Sequence, residues 1–346
     1  MKALQGLKIL DFSTLLPGPY ATMLLANMGA TVLSVESPTR PDLVKGLEPQ
    51  IDGQSAAYRQ LNQKKNHLAL DLKDPKSVAK VHQLVQEYNI IVEQFRPGVM
   101  SRLGVGYKEL KAINPKIIYC SITGYGQSGP YRDRAGHDIN YLALSGLVHY
   151  SRRKGHAPVP QGMQIADVAG GSHHAVMAIL AAVIHRQTTG EGQYIDISMT
   201  DAAFALNAMA GATALAGGEQ PEAETGWLNG GTFYDYYETE DGRYMAVGSL
   251  EPQFQKSLLA CLNLESLTEA CTDFRPKSQA KVKKAIAEAF LRHSFSHWCE
   301  VFSEVDACVE PVLSFDEAQH HVQLVARGVT QKQGELKQLS PPFRLK

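Results

Sequence analysis

The sequence predicts an α/β protein, in which a large domain on an open, mostly parallel sheet with helices on its faces is joined to a smaller α+β domain. Three observations carry this. Short apolar runs of strand length alternate with helix-length segments through the first half of the chain, the pattern of successive βαβ units. A polar, turn-rich stretch, Gly217-Gly218-Glu219-Gln220-Pro221-Glu222, then marks a change of composition. Beyond it come a hairpin pattern and a run of helices instead of further alternation. A chain of 346 residues with near-average apolar content has material for two cores. The expected division is residues 1–216, residues 217–313, and a segment 314–346 that returns to the first domain.

Taken in order, Leu7–Phe12 is the first strand, Pro17-Gly18-Pro19 a turn that starts a helix over Tyr20–Met28, and Thr31–Val35 the second strand. A βαβ unit is where a dinucleotide would bind, and Glu36 stands where a ribose-binding acid would. The turn, however, reads Leu15-Leu16-Pro17-Gly18-Pro19-Tyr20 with no G-x-G-x-x-G, so its backbone cannot approach a pyrophosphate closely and the nicotinamide reading is set aside. Strand Leu68–Leu72, helix Pro75–Tyr88, strand Ile90–Gln94, a helix around Tyr107–Ile113 and strand Ile117–Ile122 continue the alternation. An apolar helix over Asp167–Gln187 stops at a glycine turn, Gln193–Met199 is a strand, and Asp201 can cap a helix over Ala202–Ala216. In the second domain Thr232–Glu240 and Gly242–Gly248 form a hairpin. Helices Pro252–Leu262, Lys277–His293 and Ser296–Val305 follow, then Pro311-Val312-Leu313 and a short helix Ser314–Val325. The weakly periodic last residues are expected to pack on the first domain.

Composition excludes several functions. A formal charge of −1 and no basic tail argue against non-specific nucleic-acid binding, so an anionic ligand must find a local cluster of positive charge. No signal-like opening and no apolar run approaching eighteen residues are present, which sets the expectation of a cytoplasmic protein with no membrane partner. Five cysteines without a CxxC pair point to reduced thiols and support neither a disulfide framework nor a zinc cage.

Two stretches carry the chemistry: Ala135-Gly136-His137-Asp138-Ile139-Asn140-Tyr141 and Ile165-Ala166-Asp167-Val168-Ala169-Gly170-Gly171. A histidine and a carboxylate, each at an element boundary beside glycine, are suited to move a proton across a carbon centre. Asp167 stands just before a helix whose first turn holds Gly170 and Gly171. Unpaired N–H groups and the helix dipole there would favour the ionised carboxylate and could hold an oxyanion. The competing reading is that Asp167 is only an N-cap. His137 is either a hydrogen-bonded structural residue or an acid/base, a role imidazoles fill because they titrate near about 6.5. Glu251 would hold that imidazole in one tautomer, or simply cap the helix that follows it. His173-His174 and His320-His321 lack metal-ligand spacing and read as structural, so no metal site is expected. Arg96, Arg102 and Leu70-Asp71-Leu72-Lys73 lie at strand ends, where open α/β sheets bind ligands; surface charge is the alternative for each.

With these residues assembled, the chain resembles the family III coenzyme A transferases, and within them the α-methylacyl-CoA racemase branch. The likeness runs over essentially the whole length. It rests on Gly18-Pro19-Tyr20-Ala21-Thr22-Met23, Phe95-Arg96-Pro97-Gly98-Val99, Gly136-His137-Asp138-Ile139-Asn140-Tyr141, Glu251-Pro252-Gln253-Phe254 and Asp306-Ala307-Cys308-Val309-Glu310-Pro311-Val312-Leu313. The resemblance implies a Rossmann-like large domain, an interlocked homodimer, and an acyl-CoA thioester as substrate with no cofactor beyond the CoA it carries. It makes His137 and Asp167 the two bases that invert the α-carbon of a 2-methylacyl-CoA through an enolate, with Glu251 hydrogen-bonded to the histidine. It places Leu70, Asp71, Leu72, Lys73, Arg96, Arg102 and Leu103 around the CoA, and Gly136, Asp138, Ile139, Asn140 and Tyr141 at the substrate. The alternative within the family is a CoA transferase that uses the aspartate as nucleophile and lacks the histidine. The chain departs from racemases at Ser37, where they carry an arginine and Arg40 is the candidate replacement, at Met163, and in Leu228-Asn229-Gly230-Gly231-Thr232-Phe233-Tyr234.

Overall fold

The computed structural model describes residues 2–333 and 336–345. Its main sheet is six-stranded: β1 (Lys8–Asp11), β2 (Thr31–Glu36), β3 (Asn66–Ala69), β4 (Ile90–Glu93), β5 (Ile118–Thr123) and β6 (Tyr194–Ser198), in the spatial order β3-β2-β1-β4-β5-β6 with every neighbouring pair parallel. The registers Leu10↔Leu33, Leu10↔Ile91 and Ile122↔Ile197 stack apolar side chains across the sheet. Strands β4 and β5 are buried at every residue, as expected of central strands covered on both faces. The chain moves outward from β1 to β3 and then returns to β4 on the other side of β1. That reversal is a topological switch point, and in such sheets ligands bind in the crevice beyond the carboxyl ends of the strands that flank it.

The connecting helices are α1 (Pro17–Asn27), α2 (Pro75–Leu84), α3 (Tyr107–Ile113), α4 (Asp138–Leu144), α5 and α6 (Met199–Ala205). Helix α5 opens with a π-helical stretch, Ala166–His173, and continues as an α-helix over His174–Thr189. Several local expectations change. Pro17-Gly18-Pro19 forms the first turn of α1, where proline's missing N–H costs nothing. Strand β3 begins two residues earlier than its apolar run, which leaves Leu70–Lys73 as the turn after it. Ser198, whose side chain accepts from the Asp201 N–H, caps α6 in place of Asp201. That helix ends at Ala205, and a separate helix covers Ala210–Leu215. The expected helix over Ser314–Val325 breaks at His321, whose extended backbone separates Phe315–His320 from Val322–Ala326. Helix α5 is also longer and more apolar than the sequence reading allowed. Its 24 residues, Ala166–Thr189, are long and apolar enough to cross a bilayer by length and composition, and here they pack on α1 and α6.

Two compact units divide the chain. The first takes residues up to Leu147, Pro160–Leu206 and those from Gly328 on, and the second takes Val148–Val159 and Asn207–Arg327. The expected boundary at 216/217 thus falls ten residues earlier, the return comes at 328 instead of 314, and an excursion of the chain between His137 and Asp167 belongs to the second unit. Within that unit β7 (Asp235–Glu238), β8 (Tyr244–Val247) and β9 (Val309–Pro311) form an antiparallel sheet in the order β9-β8-β7. Helices α7 (Pro252–Leu262), α8 (Pro276–Phe290) and α9 (Phe295–Ser303) bury Leu258, Val282, Phe290 and Trp298 against Phe233 and Met245. The final hairpin, β10 (Thr330–Gln333) with β11 (Leu336–Leu339), joins the first unit, where the Leu339 N–H donates to Gln60 Oε1 at 3.1 Å.

Candidate active site

A cavity of about 430 Å³ opens beyond the carboxyl ends of β1, β4 and β5, at the switch point of the main sheet. Leu15 and Pro17 close one side, Gln94, Phe95 and Arg96 another, and Thr123, Gly124 and Tyr125 a third. Arg132, Arg134, Gly136, His137, Asn140 and Tyr141 come from the following loop and α4, and Asp167 and Met199 from α5 and α6.

The loop after β1 is pinned by a buried ion pair. Asp11 and Lys65 have fully buried side chains and meet at 3.2 Å. The Ser13 and Thr22 hydroxyls also donate to the Asp11 carboxylate, and Lys65 Nζ donates to the Pro19 carbonyl at 2.9 Å. Burial pulls the Lys65 ammonium below its ordinary range, against the opposing pull of Asp11. Across the cavity Gln94 Oε1 accepts the Gly18 N–H at 3.0 Å, tying the end of β4 to the start of α1.

His137 is the N-cap residue of α4, with extended backbone at φ −131° and ψ 175°. Its N–H donates to Asn140 Oδ1 at 3.0 Å and its carbonyl accepts the Asn140 N–H at 2.8 Å, so one asparagine fixes the backbone that carries the imidazole. Tyr141 packs beneath, its hydroxyl donating to the Gly136 carbonyl. A β-carbon at Gly136 would lie 2.6 Å from the Tyr141 ring, and one at Gly124 only 2.3 Å from it. The glycine before His137 is therefore required by close packing.

Asp167 is the second residue of the π-helical stretch, half-buried, with its N–H donating to Asp138 Oδ1 at 2.9 Å. The N-cap is Ile165, so the reading of Asp167 as a cap is withdrawn. Burial pushes its carboxyl up to about 6, the nearby Asp138 carboxylate adds to the rise, and His137 opposes it. The expectation that the helix start would favour the ionised form is reversed, because desolvation and a like charge outweigh it. Nor do Gly170 and Gly171 face the cavity. Added β-carbons there would meet the Met199 carbonyl at 3.2 Å, and Met199 Cγ at 3.1 Å and Pro17 Cβ at 3.2 Å, so these glycines serve close helix packing in place of the expected oxyanion site.

Arg96, Gly136, Asn140 and Tyr141 thus share one cavity with His137 and Asp167, and Asp138 touches Asp167 from behind. The other expected CoA residues do not line it. Asp71 accepts the Lys73 N–H at 3.0 Å in the turn after β3, while Leu70, Leu72 and Leu103 pack on the core. Arg102 ends the short helix Val99–Arg102, the Arg40 N–H donates to Ser37 Oγ, and Ile139 is exposed. Arg40, Leu70–Lys73 and Arg102 nevertheless follow β2, β3 and β4 at the same carboxyl edge of the sheet. Glu251 belongs to the second unit, at the N-cap of α7, where its exposed carboxylate makes no capping hydrogen bond.

Sequence reading missed Arg132, Arg134 and Tyr125. Two arginines in the polar turn Gln127–Arg134, close to Gly136 in a nearly neutral chain, were the usable signal. With Arg96 they supply the cluster of positive charge that an anionic ligand requires. Arg134 lies 4.0 Å over the Tyr131 ring, and Tyr131 and Tyr141 both meet Tyr125 edge-on, at 5.5 and 5.3 Å.

The sequence model of CoA-transferase family III matches residues 4–346. The chain belongs to CoA-transferase family III. It is 37% identical to the human alpha-methylacyl-CoA racemase over 94% of this chain and 82% of that protein. It is 32% identical to the mouse succinyl-CoA:glutarate CoA-transferase over 95% of this chain and 76% of that protein. A crystal structure of a CAIB/BAIF family protein from Brucella suis superposes with a TM-score of 0.87 at 28% identity, covering 99% and 93% of the two chains. Both kinds of family III chemistry thus stand near this chain, and the cavity is where they are to be distinguished.

Proposed function

We propose that this family III protein inverts the α-carbon of 2-methylacyl-CoA thioesters by 1,1-proton transfer. The observation that carries the reading is that an imidazole and a carboxyl raised to about 6 line one small cavity. Groups that titrate near neutral pH make the most effective general acids and bases. One of the two takes the α-proton, breaking the C–H bond and leaving a planar enolate with its negative charge on the thioester oxygen. The other gives a proton to the opposite face, restoring the C–H bond with inverted configuration. In the reverse direction the roles exchange.

Arg96, Arg132 and Arg134 favour the CoA phosphates electrostatically. Residues Leu70–Lys73, Arg40 and Arg102, along the same carboxyl edge, suit the adenosine end. Glu251 enters from the racemase resemblance, as an exposed carboxylate able to accept from an imidazole. The substrate brings its own CoA, and the reaction as drawn uses no further cofactor. A homodimer is part of the proposal, supported by large apolar side chains left exposed on α5 and α6, Met177, Ile184 and Phe204.

The competing reading, transfer of CoA through an Asp167 anhydride, is supported by the transferase relatives. Incubating 2-methylacyl-CoA with the protein in heavy water separates the two. Deuterium entering the α-position without any acceptor acid supports racemisation. CoA exchange that requires an acceptor acid, with no α-exchange, overturns it.

A further inference from the structure

Glu93, the last residue of β4, lies directly under the wall of the cavity and is 4% exposed. Its Oε2 accepts the backbone N–H of Phe95 at 2.7 Å, and its carboxylate also accepts from the Ser121 hydroxyl on β5. Ser121 in turn accepts from the Tyr194 hydroxyl on β6 at 3.1 Å. The titratable groups that act with it are Tyr119 and Cys120 on β5 and Tyr194 and Asp196 on β6, and from α3 Tyr107 packs on the Tyr119 and Tyr194 rings while the Glu109 carboxylate acts on Tyr119. None of these carries positive charge, and among the described residues Glu93 forms no ion pair. A carboxylate buried without a cation is costly and is held here by directed donors alone.

What those donors hold is the turn that follows. Gln94, Phe95 and Arg96 all wall the cavity, and the turn hangs from two side-chain anchors, Glu93 on the Phe95 N–H and Gln94 on the Gly18 N–H. We propose that Glu93 is a positioning residue whose ionised carboxylate fixes the Phe95 N–H and so sets the turn that presents Arg96 to the phosphates of a bound CoA ester. The proposal rests on the CoA-binding reading above. When Glu93 takes up a proton, one of its acceptor oxygens becomes a donor, and the chain Phe95–Glu93–Ser121–Tyr194 must rearrange. Burial pushes this carboxyl up to about 7, the Asp196 carboxylate adding to the rise, so the rearrangement falls within the working pH range.

The test is calorimetric titration of the full chain with free CoA from pH 5.5 to 8.5, for the wild type, Glu93→Gln and Ser121→Ala. At pH 8, Glu93→Gln is expected to weaken CoA binding about 5- to 20-fold, less than the whole of a charge-assisted hydrogen bond because the glutamine carbonyl still accepts the Phe95 N–H. The ratio of the two dissociation constants should fall towards one below about pH 6, where both side chains are neutral. Titration of the CoA phosphates themselves is common to both proteins and cancels in that ratio. Ser121→Ala removes a donor from the ionised form, so its ratio to wild type should peak around pH 7 to 8 and fade on either side. A ratio near one at pH 8, or a loss constant across the pH range as a simple folding defect would produce, overturns the proposal. Should Glu93→Gln fail to fold, a flat Ser121→Ala ratio overturns it as well. Because free CoA is the probe, absent α-exchange would sink the racemase reading without touching this one.

Discussion

Replacing Asp167 by asparagine probes the electrostatics of the cavity most directly. Burial and Asp138 raise the carboxyl from 3.8 to about 6, so the folded chain holds the ionised form at a cost that the unfolded chain does not bear. One pH unit is worth 1.36 kcal/mol, so a rise of about two units amounts to about 2–3 kcal/mol. Below about pH 3 the carboxyl is neutral in both states and the cost vanishes. As pH rises through the folded-state value near 6 it becomes fully developed. Asp167→Asn keeps the shape and removes the charge, so the variant should be more stable than wild type by about 2–3 kcal/mol at pH 7.5 and equal to it at about pH 3. Scanning calorimetry at the two pH values should show a rise of roughly 4–12 °C at the higher one only, by the scaling of domains of 150–250 residues. In the same variant α-deuterium exchange should fall about 10²- to 10⁴-fold. No gain at pH 7.5 would refute the desolvated carboxyl. An equal gain at both pH values would assign the effect to packing.

Two further outcomes follow from the same geometry. Asp138→Asn keeps an acceptor for the Asp167 N–H while removing the neighbouring charge, so the acidic limb of the pH dependence of kcat/KM for α-exchange should move to lower pH by roughly half a unit or more. A limb that stays in place would show that Asp138 acts only through its hydrogen bond. Lys65→Met leaves Asp11 buried with hydroxyl donors but no cation, and thermal unfolding should report a loss of about 3–5 kcal/mol. Adding Asp11→Asn should restore part of that loss, and a single-variant loss below about 1 kcal/mol would contradict the buried pair.

The alternation of apolar runs was enough to read the parallel sheet and most of its helices, because burial on both faces and helical periodicity are local properties of the chain. Tyr107–Ile113 and Pro252–Leu262 were read with the bounds they have, and His137 and Asp167 stood out through the glycines beside them. What could not be read locally is what depends on approach through space. That the histidine and the aspartate, thirty residues apart, line one cavity follows from the switch in strand order between β1 and β4. The same folding brings Arg132 and Arg134 to its wall, sends residues 148–159 into the other unit, and turns Gly170 and Gly171 towards Met199. The raised carboxyl of Asp167 is the clearest case. The residue at the helix start was set by sequence, and local reasoning gave it a favourable dipole. Its proton affinity was decided by how deeply it lies and by the Asp138 carboxylate that the fold sets beside it, since a charge responds to every neighbour within a few ångströms whatever its place along the chain.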